Sequence, residues 1–242
     1  MASFGATACF VVSAASYVPF VGVALWILPK WSPPAKDSRP SPHRPFAGLG
    51  EVARDPRLRT ALLTVLTTSV LCAPLVTFTP VLVRDVFHGG AARFSIAVAS
   101  FGAGGLVGAA LLLGISSGLD RRRLSAFSAL AYAVVVMLTA LTPSFWTLPP
   151  LLVLAGASMT VSNTSANTLL QSSASPHLLG RTVSFFMLAM RGGISLGALH
   201  TGVTVGVFGV QRALLVNGIA AFVIHVALAR RWSGAPPNVP RR

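Results

Sequence analysis

Long apolar stretches alternate along this chain with short polar segments, and each stretch is about as long as a helix that crosses a membrane. Such a helix needs roughly 20 predominantly apolar residues. Seven runs meet that length, approximately 4–28, 58–82, 94–116, 124–141, 148–171, 182–206 and 211–229. The fourth is the shortest, the sixth is rich in glycine, and six spans is the nearest competing count. The pattern predicts an all-α fold, a polytopic membrane helix bundle. It divides the chain into a single transmembrane helix (1–28), a Pro-rich linker (29–57), a six-helix transmembrane bundle (58–230) and a tail (231–242).

Composition agrees with lipid as the solvent. The chain is 53% hydrophobic and 10% charged, and its mean hydropathy is +0.73. A soluble domain of this size carries about a quarter of its residues as charged side chains, so the polar surface here is too small for water. The formal charge of +14 would by itself suggest nucleic acid as a partner. The basic residues instead occupy short segments between apolar runs, with no basic face and no aromatic platform, so no nucleic-acid partner is expected.

The charges also orient the chain. If the spans alternate with the C-terminus inside, fifteen of the nineteen basic residues lie in or beside 29–57, 117–123, 172–181 and 230–242. Only Arg84, Arg93 and Arg212 fall outside, and Arg191 lies within a span. The positive-inside rule then predicts an outer N-terminus, a cytoplasmic linker and a cytoplasmic tail, in the cell membrane. Trp26, Trp31, Trp146 and Trp232 fall near span ends, where indole rings prefer to sit.

The linker, with WSPPAKDSRPSPHRP, is polar and proline-rich, hence extended. Beyond it, Phe46, Leu49, Val52 and Ala53 suit a short amphipathic stretch on the membrane surface. Asp55-Pro56 reads as an N-cap with proline at the first helical position. The first run starts without a basic flank and is too long for a signal peptide. The simplest expectation is that helices normally preceding Met1 are absent; a misassigned start, a gene fragment and a genuine half-protein would look alike.

No enzyme constellation is present, so no catalytic residue, cofactor or metal is expected. Asp37, Glu51, Asp55, Asp85 and Asp120 all lie in loops or at helix ends, and the five histidines have no partner at ligand spacing. Cys9 and Cys72 lie in apolar runs and read as small buried hydrophobes. Gly104 and Gly108, Gly193 and Gly197, and Gly202 and Gly206 are each four apart, placing both members of a pair on one helix face. That spacing lets another helix approach closely, as static packing or as a seam that slides during a transport cycle.

Two features point to a polar interior. Gly156, Thr160, Asn163, Asn167 and Gln171 share a face of the fifth span. Amides in hydrocarbon need partners, so this face meets other helices through hydrogen bonds or lines a wet cavity. Arg191 stands about ten residues into the sixth span, where an arginine costs about 2.5–3.5 kcal/mol to insert. A carbonyl, an anionic substrate, a group on other helices and snorkelling toward water all remain open for it.

Together these residues resemble a known family. Gly114-Ile-Ser-Ser-Gly-Leu-Asp-Arg-Arg-Arg123, between the third and fourth runs, resembles the degenerate second copy of the Gly-x-x-x-Asp-Arg-x-Gly-Arg-Arg loop motif of the major facilitator superfamily. It keeps Gly118, Asp120 and Arg121 and lacks the second glycine. Asn167-Thr-Leu-Leu-Gln171, Ser175-Pro176, Leu179-Gly180-Arg181 and Arg191-Gly-Gly-Ile-Ser-Leu-Gly197 resemble the tenth and eleventh helices of its enterobactin-exporter-like branch. The resemblance implies a twelve-helix transporter of which this chain holds the sixth helix onward, a C-terminal half. It implies efflux of an unknown small molecule by alternating access, with a missing N-terminal half or a second copy as partner. Thr160, Asn163, Asn167, Gln171 and Arg191 become substrate-cavity candidates. Gly118, Asp120, Arg121, Arg122, Arg123 and Arg181 become cytoplasmic gate candidates, against the alternative that these arginines only set topology. A non-transporting fragment or a helix-bundle interaction protein is the competing function.

Overall fold

A computed structural model describes residues 11, 13–27, 55–114, 120–173 and 179–233. The chain divides into two compact units, Met1–Arg44 and Pro45–Arg242. In the first, α1 (Val18–Ile27) belongs to an apolar helical stretch, Ser13–Trp26, that is shorter than a span. The rest of the first predicted run and residues 29–54 of the linker lie outside the described residues.

Among the described residues, six helices of the second unit are long and apolar enough to cross a membrane: α2 (Leu58–Val86), α3 (Ala91–Gly114), α4 (Arg121–Ala140), α5 (Phe145–Ser173), α6 (Leu179–Phe208) and α7 (Val210–Arg230). Every predicted run from the second onward finds its helix, and the ends differ by a few residues for physical reasons. α4 starts at Arg121 rather than at the first apolar residue because the Asp120 side chain accepts the Arg122 N–H at 3.0 Å and caps the helix through its basic turn. α2 is preceded by Pro56 at the first helical position, and Arg59 N donates to the Asp55 carbonyl at 3.0 Å.

α2 is not a regular helix. Its hydrogen-bonding widens to a π-turn over Thr68–Cys72, closed by Ala73 N–H to the Thr68 carbonyl at 3.0 Å, and to another over Leu82–Val86. Pro74 and Pro80 explain the break, since neither has an N–H to continue the ladder. Several threonine hydroxyls are satisfied within their own helices. Thr60, Thr64, Thr79 and Thr139 each donate to the carbonyl four residues back, which suits a helix in hydrocarbon.

α5 packs along both α3 and α4, and α4 along α7, while α2 meets α4, α5, α6 and α7. Tyr132, Leu75, Leu82, Leu148, Leu152 and Leu214 fill the main core, and Leu58, Val65, Ala166, Leu170 and Phe186 form a second cluster near the start of α2. α3 and α6 are the least enclosed helices, with 17% and 22% of their most apolar stretch buried against 39–50% for the other four. Two faces of the bundle are therefore left unpartnered within this unit.

Candidate functional site

Glycine sets the closest helix contacts. A Cβ on Gly104 would run into the Val153 carbonyl, and one on Gly108 would stand 2.7 Å from the Ala157 oxygen. From the opposite side, a Cβ on Gly156 would strike the Phe101 carbonyl. The same relation joins α6 to α2: a Cβ on Gly193 would lie 2.8 Å from Ser69 Cβ, and one on Gly197 would meet the Val70 carbonyl. Gly202 has only an ordinary contact with the Phe78 ring, and Gly206 faces open space.

These seams locate the polar face of α5. Gly156 is buried against α3, and Thr160 is close enough for its Oγ1 to lie 3.4 Å from a Cβ built on Gly105. Further along, Asn163 and Asn167 are half-buried and Gln171 is exposed. Gln171 Nε2 donates to Asn167 Oδ1 at 3.0 Å, while Asn163 Oδ1 is buried without a hydrogen-bond partner. On the α4 side, Ser125 and Ser162 each donate to the other's carbonyl, at 3.2 and 3.3 Å.

Arg191 is exposed on α6, and among the described residues nothing bonds its guanidinium. Ser184, Leu188, Ser195 and Leu199 are exposed on the same helix, and the two serines donate to the carbonyls four residues back. The structure makes no hydrogen bond between Arg191 and the α5 amides. It does gather the basic residues: the starts of α2, α4 and α6 carry Arg59, Arg121, Arg122, Arg123 and Arg181 at one end of the bundle, where α3 and α5 finish. There Asp120 Oδ2 lies 3.9 Å from Arg123 Nε, an exposed pair whose energy is small. Gly118 lies outside the described residues.

A family model described as transmembrane secretion effector, of the major facilitator type, matches residues 1–233. The chain belongs to this family. No curated protein matches it. The match and the spanning helices together make the chain a multi-pass membrane protein of a transporter family.

In this secretion-effector chain the structure also assembles two groups that sequence reasoning missed. At the bundle centre, buried His225 on α7 places Nε2 3.3 Å from Thr68 Oγ1, at the start of the π-turn. At the end of that turn, the buried Tyr132 hydroxyl donates to the Cys72 carbonyl at 3.1 Å. Asn217 Nδ2 donates to Thr201 Oγ1 at 2.8 Å between α7 and α6. At the end opposite the arginine cluster, Arg93 donates to the Phe87 carbonyl at 3.0 Å and lies 5.3 Å from the centre of the Phe145 ring. Phe145 in turn meets Phe87 and Trp146 edge-on. Thr68 and His225 are 157 residues apart and Cys72 and Tyr132 are 60 apart, and only the proline positions in α2 hinted at the irregularity they gather around.

Proposed function

We propose that the six-helix bundle serves as one half of a secondary active transporter that exports a small molecule by alternating access. The observation that supports this most is the exposed side of α6. The helix is apolar enough to span, yet it turns Arg191, Ser184 and Ser195 away from its own bundle. Lipid penalises that arrangement, whereas a wet cavity or a partner half relieves it. In this reading Thr160, Asn163, Asn167, Gln171 and Arg191 contribute to one wall of the substrate cavity, and the buried, unbonded Asn163 Oδ1 is an acceptor awaiting a partner. Gly118, Asp120, Arg121, Arg122, Arg123 and Arg181 form a gate network at the cytoplasmic end. The positive-inside rule places that basic end in the cytoplasm and the N-terminus outside.

A photo-crosslinking amino acid at Ser184, Arg191 or Ser195, in cells, tests the reading. Crosslinks to a second copy or another membrane protein are expected, and none from Val223, which is exposed on α7. Crosslinks to lipid alone at all three α6 positions would favour the competing reading, a fragment or helix-bundle protein that does not transport.

A further inference from the structure

A cavity of about 400 Å³ opens between the first halves of α2 and α6. Leu62, Leu63 and Leu66 form one wall, and Phe185, Leu188 and Leu196 the other. Ala189, Gly192 and Gly193 also line it, and among the described residues Arg59 is its single charged lining residue. Arg181 is half-buried one turn before Phe185, which places it on the same face of α6.

The shape follows from the glycine seam. α2 and α6 run parallel and touch where Gly193 meets Ser69 and Gly197 meets Val70. The cavity is therefore a slot beside that seam, running from Arg59 and Phe185 at the arginine end to Leu66 and Leu196. At a rise of 1.5 Å per residue, Arg59 to Leu66 spans about 10 Å and Phe185 to Leu196 about 16 Å. Leu63, on the α2 wall, is itself exposed, so on that side the slot also opens sideways to the surrounding bilayer. An apolar slot admits any hydrocarbon; Arg59 in its lining, with Arg181 one turn beyond Phe185 on the same face of α6, selects one that carries an anion.

We propose that this slot holds one acyl chain of an anionic phospholipid, with the lipid phosphate on Arg59 and Arg181. The fit rests on charge complementarity and on a slot whose depth matches part of a chain rather than a compact solute. Guanidinium groups bind phosphate through paired N–H donors, a geometry lysine does not offer. The bound lipid would fill the gap between α2 and α6 that the glycine seam leaves open.

The test uses the full chain exchanged into vesicles of equimolar phosphatidylglycerol and phosphatidylcholine, extracted gently and weighed intact with its retained lipid. One phosphatidylglycerol per chain is expected. Arg59→Gln combined with Arg181→Gln should lower its retention by about tenfold, the scale of lost charge-assisted hydrogen bonds. Gly192→Phe should do the same by filling the slot, since a Cβ there touches only Leu188 Cδ1, at 3.7 Å. Gly206→Phe, on the same helix in open space, should retain the lipid. A thermal scan of each variant establishes that it is folded. Equal retention of the two lipids, or no effect of either change, would overturn the proposal. So would loss in the arginine variant with full retention in Gly192→Phe, because it would mean headgroup binding without the slot. Crosslinks from Leu63 to a second copy or another protein helix, in place of lipid, would assign the slot to that occupant and likewise sink the idea.

Discussion

Replacing Gly104 by alanine puts a methyl group against backbone that has nowhere to turn. The new Cβ would overlap the Val153 oxygen and stand 2.7 Å from its carbonyl carbon, where ordinary contact begins near 3.4 Å. A flexible side chain can swing aside from such a clash, but a helical carbonyl cannot, so α3 must retreat from α5. α3 has little else to hold it, because apart from the far end of α2 its packing is with α5. Overpacking of this kind costs about 1–3 kcal/mol. Alanine also gains up to about 1 kcal/mol over glycine in a helix, which would mask part of the cost. Gly102→Ala removes that ambiguity: it lies on the same helix, is exposed, and its Cβ meets nothing within 4 Å. The propensity gain cancels between the two variants and leaves the clash. At about 2–4 °C per kcal/mol for a chain of this size, Gly104→Ala should melt about 2–12 °C below Gly102→Ala. Cys72, fully buried and unpaired, supplies the readout through a thiol-reactive dye in a Cys9→Ser background. Equal midpoints would refute the argument that backbone contact makes glycine necessary there. Bulkier changes sharpen the contrast: Gly108→Leu or Gly197→Leu should impair folding where Gly90→Leu, in open space, does not.

Tyr132→Phe removes the donor to the Cys72 carbonyl and should cost about 1–3 kcal/mol, the price of a buried acceptor left unbonded. The same dye should then reach Cys72 at a lower temperature, and an unchanged midpoint would mean that water or another group serves the carbonyl. For topology, cysteines at Ser38 and Asn238 should react only after the membrane is permeabilised; labelling of either from outside intact cells would sink the proposed orientation. Finally, on the proposed reading, in which the six-helix bundle supplies one wall of the cavity, the purified chain in liposomes with a proton gradient should not move hydrophobic dyes. Gradient-driven dye movement abolished by Arg191→Ala would show instead a working homodimeric half-transporter.

The spans were readable because hydrocarbon imposes a simple demand, a long apolar run, on every helix that crosses it. Their ends were less readable, since hydropathy falls where charge begins and a helix does not. Arg121–Arg123 sit in the first turn of α4 because Asp120 caps it, and Arg181 sits in the first turn of α6. The glycine pairs announced their helices' faces by spacing alone, but spacing could not name the neighbour or tell Gly197, pressed on Val70, from Gly206, in open space. The α5 face was visible as a row of polar residues. Its division into a part sealed against α3 and a part holding Asn163, Asn167 and Gln171 depends on where α3 ends. His225 looked like one scattered histidine among five, because the group that meets it, Thr68, is 157 residues away.

What joins these observations is the middle of α2. Pro74 denies the helix one hydrogen bond, and the π-turn before it shifts the carbonyls of Thr68–Cys72 out of register. Freed carbonyls in hydrocarbon must find donors, and here the Tyr132 hydroxyl from α4 serves the Cys72 carbonyl. Within the same five residues Thr68 meets His225 of α7, while Ser69 and Val70 receive Gly193 and Gly197 of α6. One irregular turn is thus the point where three other helices register on α2. The glycines are needed there because the backbones come that close, and the buried polar side chains are needed because the backbone is not regular. Pro74→Ala gives back an N–H whose α-helical acceptor is the Val70 carbonyl, and the Cys72 carbonyl loses its need for the tyrosine only if that bond draws the whole π-turn back into a regular ladder. The two contributions are then separable: Tyr132→Phe should cost less stability in a Pro74→Ala background than in the parent chain, and strict additivity of the two changes would refute this account of the turn.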